Sequence, residues 1–243
     1  MSERIVRLGL MYPEGGGEYD YYLFADAVGW RVRPLVVAAR LYGDDRSHDP
    51  ENLKATARID QLEVTARSLV PLAPHSCMWA CTSGSFISGR AHALAQVEAI
   101  RAVLGCPTGS TSLAFVHALE AVGARRVAVL ATYPEPVARA FQSFLAESGI
   151  AVVSLEWLGA VSGQVAFLTP HERLLAAARG ADSPGADALL VPDTAVGGCA
   201  LIEPLESELG KPVLVANQVT LWHGLRLAGS RVTAPGYGRL MAF

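Results

Sequence analysis

The segment Trp79-Ala80-Cys81-Thr82-Ser83-Gly84-Ser85-Phe86-Ile87-Ser88-Gly89 joins two different apolar patterns. Before it, the run from Cys77 to Ala80 reads as the end of a buried strand. After it, Ile87, Ala91, Leu94 and Val97 recur at helical spacing. Between the two lies a tight polar turn holding one thiol, several hydroxyls and a glycine. In open α/β sheets, ligands bind beyond the carboxyl ends of strands, where helix N-termini present unpaired N–H groups. A cysteine there meets the positive end of the helix dipole, so Cys81 is expected to ionise readily. Thr82, Ser83, Ser85 and the Gly84 backbone can donate hydrogen bonds to a carboxylate beside it. Together they point to a thiol enzyme acting on a small anion.

Outward from this turn, strands and helices alternate along the chain. Strands are predicted at 4–11, 32–39, 125–134, 150–157, 187–192 and 213–216, besides the one that leads into Cys81. Pro34 pushes the second of these toward a sheet edge. Residues 40–50 read as a polar loop. Asp49 or Asn52 is expected to cap one helix running to about Val70, which Pro71 and Pro74 close. Further helices are predicted from Cys81 to about Gly105, then at 110–122, 135–148, 169–179, 204–209 and 218–228. Arg125-Arg126-Val127-Ala128-Val129-Leu130-Ala131-Thr132-Tyr133-Pro134 echoes residues 4–13, with Arg, Val, Tyr and Pro in matching places. A duplicated βα unit explains the echo. The expected fold is α/β, with two pseudo-symmetric Rossmann-like halves, parallel sheets and an active site in the cleft between them. The first half is assigned residues 1–115 plus 218–243, the second residues 116–217.

Composition narrows the possibilities. The 243 residues are 51% hydrophobic and 18% charged, with a formal charge of −3. That balance suits a buried parallel sheet. It gives no support for binding nucleic acid or a membrane surface, and no apolar run reaches the ~18–20 residues of a spanning helix. Met1-Ser2-Glu3-Arg4 runs directly into a strand pattern without a signal peptide. Four cysteines without export suit reduced thiols, and a cytoplasmic location is expected. The expected partners are a small carboxylate or dicarboxylate substrate and further copies of the chain in a homo-oligomer.

Other chemistry-bearing residues divide into core and candidate site. Cys77 and Cys106 read as packing residues, and no His or Cys pair at ligand spacing accompanies them, so no metal is expected. Cys199, in Val191-Pro192-Asp193-Thr194-Ala195-Val196-Gly197-Gly198-Cys199, also lies between a strand and a helix and could face Cys81 as a second thiol. It follows its strand by several residues, however, whereas Asp193 and Thr194 occupy the place that corresponds to Cys81 and Thr82. Tyr133 is expected to point into the cleft. Gly15, Gly16 and Gly17 lack the Lys-[Ser/Thr] ending of a phosphate loop and read as a flexible lip. The six histidines show no pairing pattern.

Over almost its whole length the chain resembles the aspartate/glutamate racemase superfamily, in its arylmalonate decarboxylase and maleate cis–trans isomerase branch. The resemblance rests on Cys81-Thr82-Ser83-Gly84-Ser85-Phe86, on Thr108 to Leu119, and on Ala124 to Val129 with Thr132-Tyr133-Pro134. It extends to Gly210-Lys211-Pro212-Val213, Asn217 to Trp222 and Leu225 to Gly229. It implies a cofactor-free enzyme whose first-half thiol is Cys81, with Tyr133 and the Thr82–Ser85 turn binding a substrate carboxylate. In the racemases two thiols face opposite sides of an α-carbon; here the second falls on Asp193, with Thr194 beside it. The turn after the first strand, Glu14 to Glu18, lacks the Asn that maleate isomerases share. The expected activity is isomerisation or racemisation next to a carboxylate, with a single-thiol decarboxylase and a non-catalytic carboxylate-binding protein as alternatives.

Overall fold

The computed structural model describes residues 5–13, 16–41 and 47–243. In chain order the described residues build β1 (Val6–Pro13), α1 (Tyr19–Ala27), β2 (Val32–Ala39), α2 (Pro50–Thr56) and α3 (Ile59–Arg67). They continue through β3 (Ser76–Trp79), α4 (Thr82–Phe86), α5 (Gly89–Leu104), β4 (Thr108–Ser110) and α6 (Thr111–Val122). The remainder builds β5 (Arg126–Ala131), α7 (Glu135–Ala146), β6 (Ala151–Trp157), α8 (Gly163–Phe167) and α9 (His171–Ala181). It closes with β7 (Ala188–Val191), α10 (Cys199–Leu209), β8 (Val213–Val215) and α11 (Ala216–Leu227). Every strand pair is parallel. The strand orders are β2-β1-β3-β4 and β6-β5-β7-β8, the same permutation twice. The echo between residues 4–13 and 125–134 therefore falls on β1 and β5, the matching inner strands of the two sheets.

Burial explains the strand composition. All four residues of β3 and all four of β7 are buried, as expected where helices cover both faces of a parallel sheet. Pro34 sits on β2, which pairs with β1 alone, so its missing N–H falls on an edge. Cys77 and Cys106 lie in an apolar cluster with Leu62, Leu69, Trp79 and Ile100 under the outer face of the first sheet.

Several helices differ from expectation, each for a local reason. The helix expected from Asp49 to Val70 is broken into α2 and α3, then a single 3-10 turn at Val70–Leu72. At the break the Ala57 carbonyl accepts hydrogen bonds from Gln96 Nε2 at 2.7 Å and from His92 Nε2 at 3.0 Å. These side chains from α5 replace the helical partner, and Arg58 turns extended. The helix after Cys81 is likewise two: Gly89 adopts φ +81°, and Arg90 N starts α5 by donating to Glu147 Oε2 at 2.8 Å. α10 begins at Cys199 rather than at 204, and holds Pro204 inside it. α1, β4 and α8 were not expected. No helix among the described residues is long and apolar enough to cross a membrane.

Candidate active site

The repeated topology gives two equivalent strand ends. Cys81 stands two residues beyond the last residue of β3, and Asp193 two beyond the last residue of β7. Both line one cavity of about 50 Å³.

On the first wall, Cys81 is the extended N-cap of α4, and its Sγ accepts the Gly84 N–H at 3.3 Å. Ser83 Oγ lies 3.8 Å away. Gly84 permits this approach, since a Cβ there would stand 3.0 Å from the sulfur and from the Trp79 ring. The expected readily ionised thiol does not materialise. Burial pushes Cys81 up to about 11, and the Gly84 N–H and Ser83 hydroxyl offset only part of that shift. A five-residue helix and one N–H do not replace the lost hydration of a thiolate. At neutral pH Cys81 is therefore a neutral thiol, chemically a proton donor.

The hydroxyls of the same turn have different tasks. Ser85 Oγ donates to Thr82 O at 2.9 Å and accepts Ser112 N–H at 3.1 Å, fastening α4 to α6. Ser83 lines the cavity. Thr82 Oγ1 is buried without a hydrogen-bond partner. The Tyr133 phenol lies beside the Thr82 and Ser83 hydroxyls and donates to the Pro192 carbonyl. Burial, with Asp193 and Cys81 nearby, holds that phenol protonated.

On the second wall, Asp193 is 3% exposed. Thr132 Oγ1, just past β5, donates to its Oδ2, and Ala195 N–H donates to its Oδ1 at 2.9 Å. Thr194 adds its backbone: its carbonyl accepts Tyr12 OH at 2.8 Å and Asn217 Nδ2 at 3.2 Å. Gly17, expected in a flexible lip, is packed here; a Cβ on it would lie 2.3 Å from Thr194 O. Its N–H donates to Tyr12 OH at 3.1 Å. Gly15 lies outside the described residues.

Cys199 is not brought to Cys81. It opens α10 and lines a separate cavity of about 340 Å³ with Tyr19, Asp20 and Tyr237. Its N–H donates to Asp20 Oδ2 at 3.3 Å. Burial and the neighbouring Asp20 hold its thiol protonated. Two residues come to the site without having been singled out. His48 lines the cavity from the loop before α2, and nothing in its polar surroundings in the sequence marks it. Asn217, at the start of α11, bridges the Gly17, Thr194 and Val196 carbonyls and Asp20. An asparagine two residues past the end of a fully apolar strand is the one sequence signal that could have pointed to it.

The sequence model of the family described as arylmalonate decarboxylase matches residues 52–241. Arylmalonate decarboxylase of Bordetella bronchiseptica is 32% identical over 163 residues, covering 65% of this chain and 68% of that protein. Maleate isomerase of Nocardia farcinica is 29% identical over 201 residues, covering 79% and 78%. Among solved structures, a liganded arylmalonate decarboxylase variant with one glycine-to-cysteine and one cysteine-to-serine exchange superposes with a TM-score of 0.87. It is 27% identical, over 97% of this chain and 98% of that one. A variant of the Nocardia farcinica maleate cis–trans isomerase, holding a covalently bound succinylcysteine intermediate, gives 0.88 at 26% identity, over 97% and 98%. The family match spans most of the chain, and the fold agrees along nearly all of it: this chain belongs to the arylmalonate decarboxylase family.

Proposed function

We propose that this protein is a cofactor-independent isomerase or racemase that moves a proton at the carbon next to the carboxylate of a small carboxylate or dicarboxylate. The observation that carries this is the pairing, at mirrored strand ends of one cavity, of a neutral thiol and a carboxylate that accepts two hydrogen bonds. Asp193 takes the α-proton, and the C–H electron pair moves into the substrate carboxylate to form an enediolate. Charge then grows on oxygens beside the Ser83 hydroxyl, which lines the cavity, and Thr82 Oγ1, which has no hydrogen-bond partner, while Tyr133 keeps its proton on the Pro192 carbonyl behind them. Donors fixed where charge develops stabilise the transition state. Cys81 gives its proton to the opposite face of the carbon. The thiolate left behind and the protonated Asp193 return to their starting forms by exchange with solvent.

The neutral thiol also suits a second reaction. Loss of carbon dioxide from a malonate leaves the same enediolate, which Cys81 alone can protonate, and Leu41 and Leu53 give the cavity an apolar side for a departing carboxylate. Asp193 separates the two. In deuterium oxide, with maleate, chiral α-substituted acids and aryl- or alkyl-malonates as substrates, Cys81→Ser is expected to stop all turnover. Asp193→Asn is expected to slow isomerisation and solvent exchange by at least ~10²-fold, the lower range for a lost general base. Carbon dioxide release that persists in Asp193→Asn, without exchange in the wild type, would establish the decarboxylase instead.

A further inference from the structure

The carboxyl group of Asp193 is held from two directions. Its own loop supplies one contact, the Ala195 N–H donating to Oδ1 at 2.9 Å. The neighbouring strand supplies the other, the Thr132 hydroxyl donating to Oδ2. The main chain on either side is pinned separately: Tyr133 OH donates to the Pro192 carbonyl, and Tyr12 OH to the Thr194 carbonyl at 2.8 Å. With the backbone fixed in this way, the Ala195 N–H acts as a pivot about which the carboxyl can turn. Thr132 Oγ1 holds the second oxygen and so sets the plane.

The donor is itself rigid. Thr132 is fully buried just past β5, and its carbonyl accepts Ala160 N–H at 2.7 Å. Two heavy atoms on its Cβ restrict the side chain to few rotamers. The echo between the two halves isolates the hydroxyl. The place of Thr132 in residues 125–134 belongs to Met11 in residues 4–13, and a thioether has no hydrogen to donate. The half that presents a thiol to the cavity thus has Met at this place, and the half that presents a carboxyl has Thr. Thr132 is not among the residues that line the cavity, so any effect on substrate passes through Asp193. We infer that Thr132 is a positioning residue, whose hydroxyl aims the Asp193 carboxyl at the α-hydrogen of the substrate. This rests on the proposed role of Asp193 in taking that hydrogen.

The test follows exchange at the methine of racemic methylsuccinate in deuterium oxide by NMR, with crystal structures of the same chains. Thr132→Val keeps the shape of the side chain and removes the hydroxyl. It is expected to lower kcat by about 10- to 100-fold, the upper figure matching a misplacement of about 1 Å, with KM little changed. Thr132→Ser keeps the donor and is expected to recover most of the rate. In the crystal structure of Thr132→Val the Asp193 carboxyl is expected to turn out of its wild-type plane while the main chain of residues 192–195 stays in place. Wild-type kcat in Thr132→Val would overturn the inference, as would equal losses in the Val and Ser variants. An unmoved carboxyl in Thr132→Val would overturn it as well, and this comparison decides the point even where the wild type leaves methylsuccinate unexchanged. An Asp193→Asn chain that exchanges as fast as wild type would instead overturn the proton-transfer reading on which the inference rests.

Discussion

At the scale of single residues, the decisive contest is at Cys81. A helix N-terminus favours thiolate, but the side chain is 4% exposed and burial wins, holding the thiol near 11. Alkylation by iodoacetamide should therefore be slow at pH 7. It should quicken about tenfold per pH unit up to that value, because only thiolate reacts; peptide mass spectrometry on Cys81 reads it directly, and a rate already flat at neutral pH would contradict the burial argument. Cys199 has no cavity in common with Cys81, so Cys199→Ala is expected to change kcat/KM by less than ~10-fold, under about 1.4 kcal/mol of barrier. Cys81 and Asp193 were legible in the sequence because position after a strand is a local property. His48 was not: it reaches the site through hydrogen bonds to residues 160 and 161, which no local pattern announces.

At the scale of elements, the longer strands declared themselves, while the three-residue β4 and the helix breaks did not. β2 matches its predicted bounds because edge position, Pro34 and apolar spacing agree. The break between α2 and α3 depends on Gln96 and His92 reaching the Ala57 carbonyl from a helix some forty residues away. Packing between α6 and α11 sets a pH dependence of its own. His117 and His223 face each other with ring centroids 4.6 Å apart. Burial, then the neighbouring imidazole, drives His223 down to about 3. The unfolded chain takes up this proton near pH 6.5, the folded chain only near 3. Stability from this group is thus complete above 6.5 and falls as pH drops toward 3, by at most about 1.4 kcal/mol per pH unit. Urea midpoints at pH 7 and pH 5 should separate more for the wild type than for His223→Leu. Close approach of backbones sets another limit, because a Cβ at Gly17 would meet Thr194 O and Ala195 O. Gly17→Ala is expected to cost about 1–3 kcal/mol in urea unfolding and to lower kcat by displacing Asp193.

At the scale of the whole molecule, the two sheets meet at hydrogen bonds as well as apolar contacts. Asn217 Nδ2 lies between Gly17 O, Thr194 O, Val196 O and Asp20, and its Oδ1 accepts Tyr21 OH at 2.9 Å. Asn217→Ala leaves several of these buried groups unpaired, at about 1–3 kcal/mol each and less than additively. A loss of about 3 kcal/mol or more is expected in denaturant titration, together with lower activity as the Thr194 backbone loosens. The doubled strand order has a consequence for stereochemistry. Because positions 81 and 193 end equivalent strands on opposite walls, which face of a planar intermediate receives hydrogen is set by two side chains, while the scaffold is indifferent to the choice. A chain combining Cys81→Asp with Asp193→Cys should keep the fold and take its proton from the other wall, so that in deuterium oxide the label enters the opposite enantiomer of a chiral α-substituted acid first, as chiral chromatography with mass spectrometry reads.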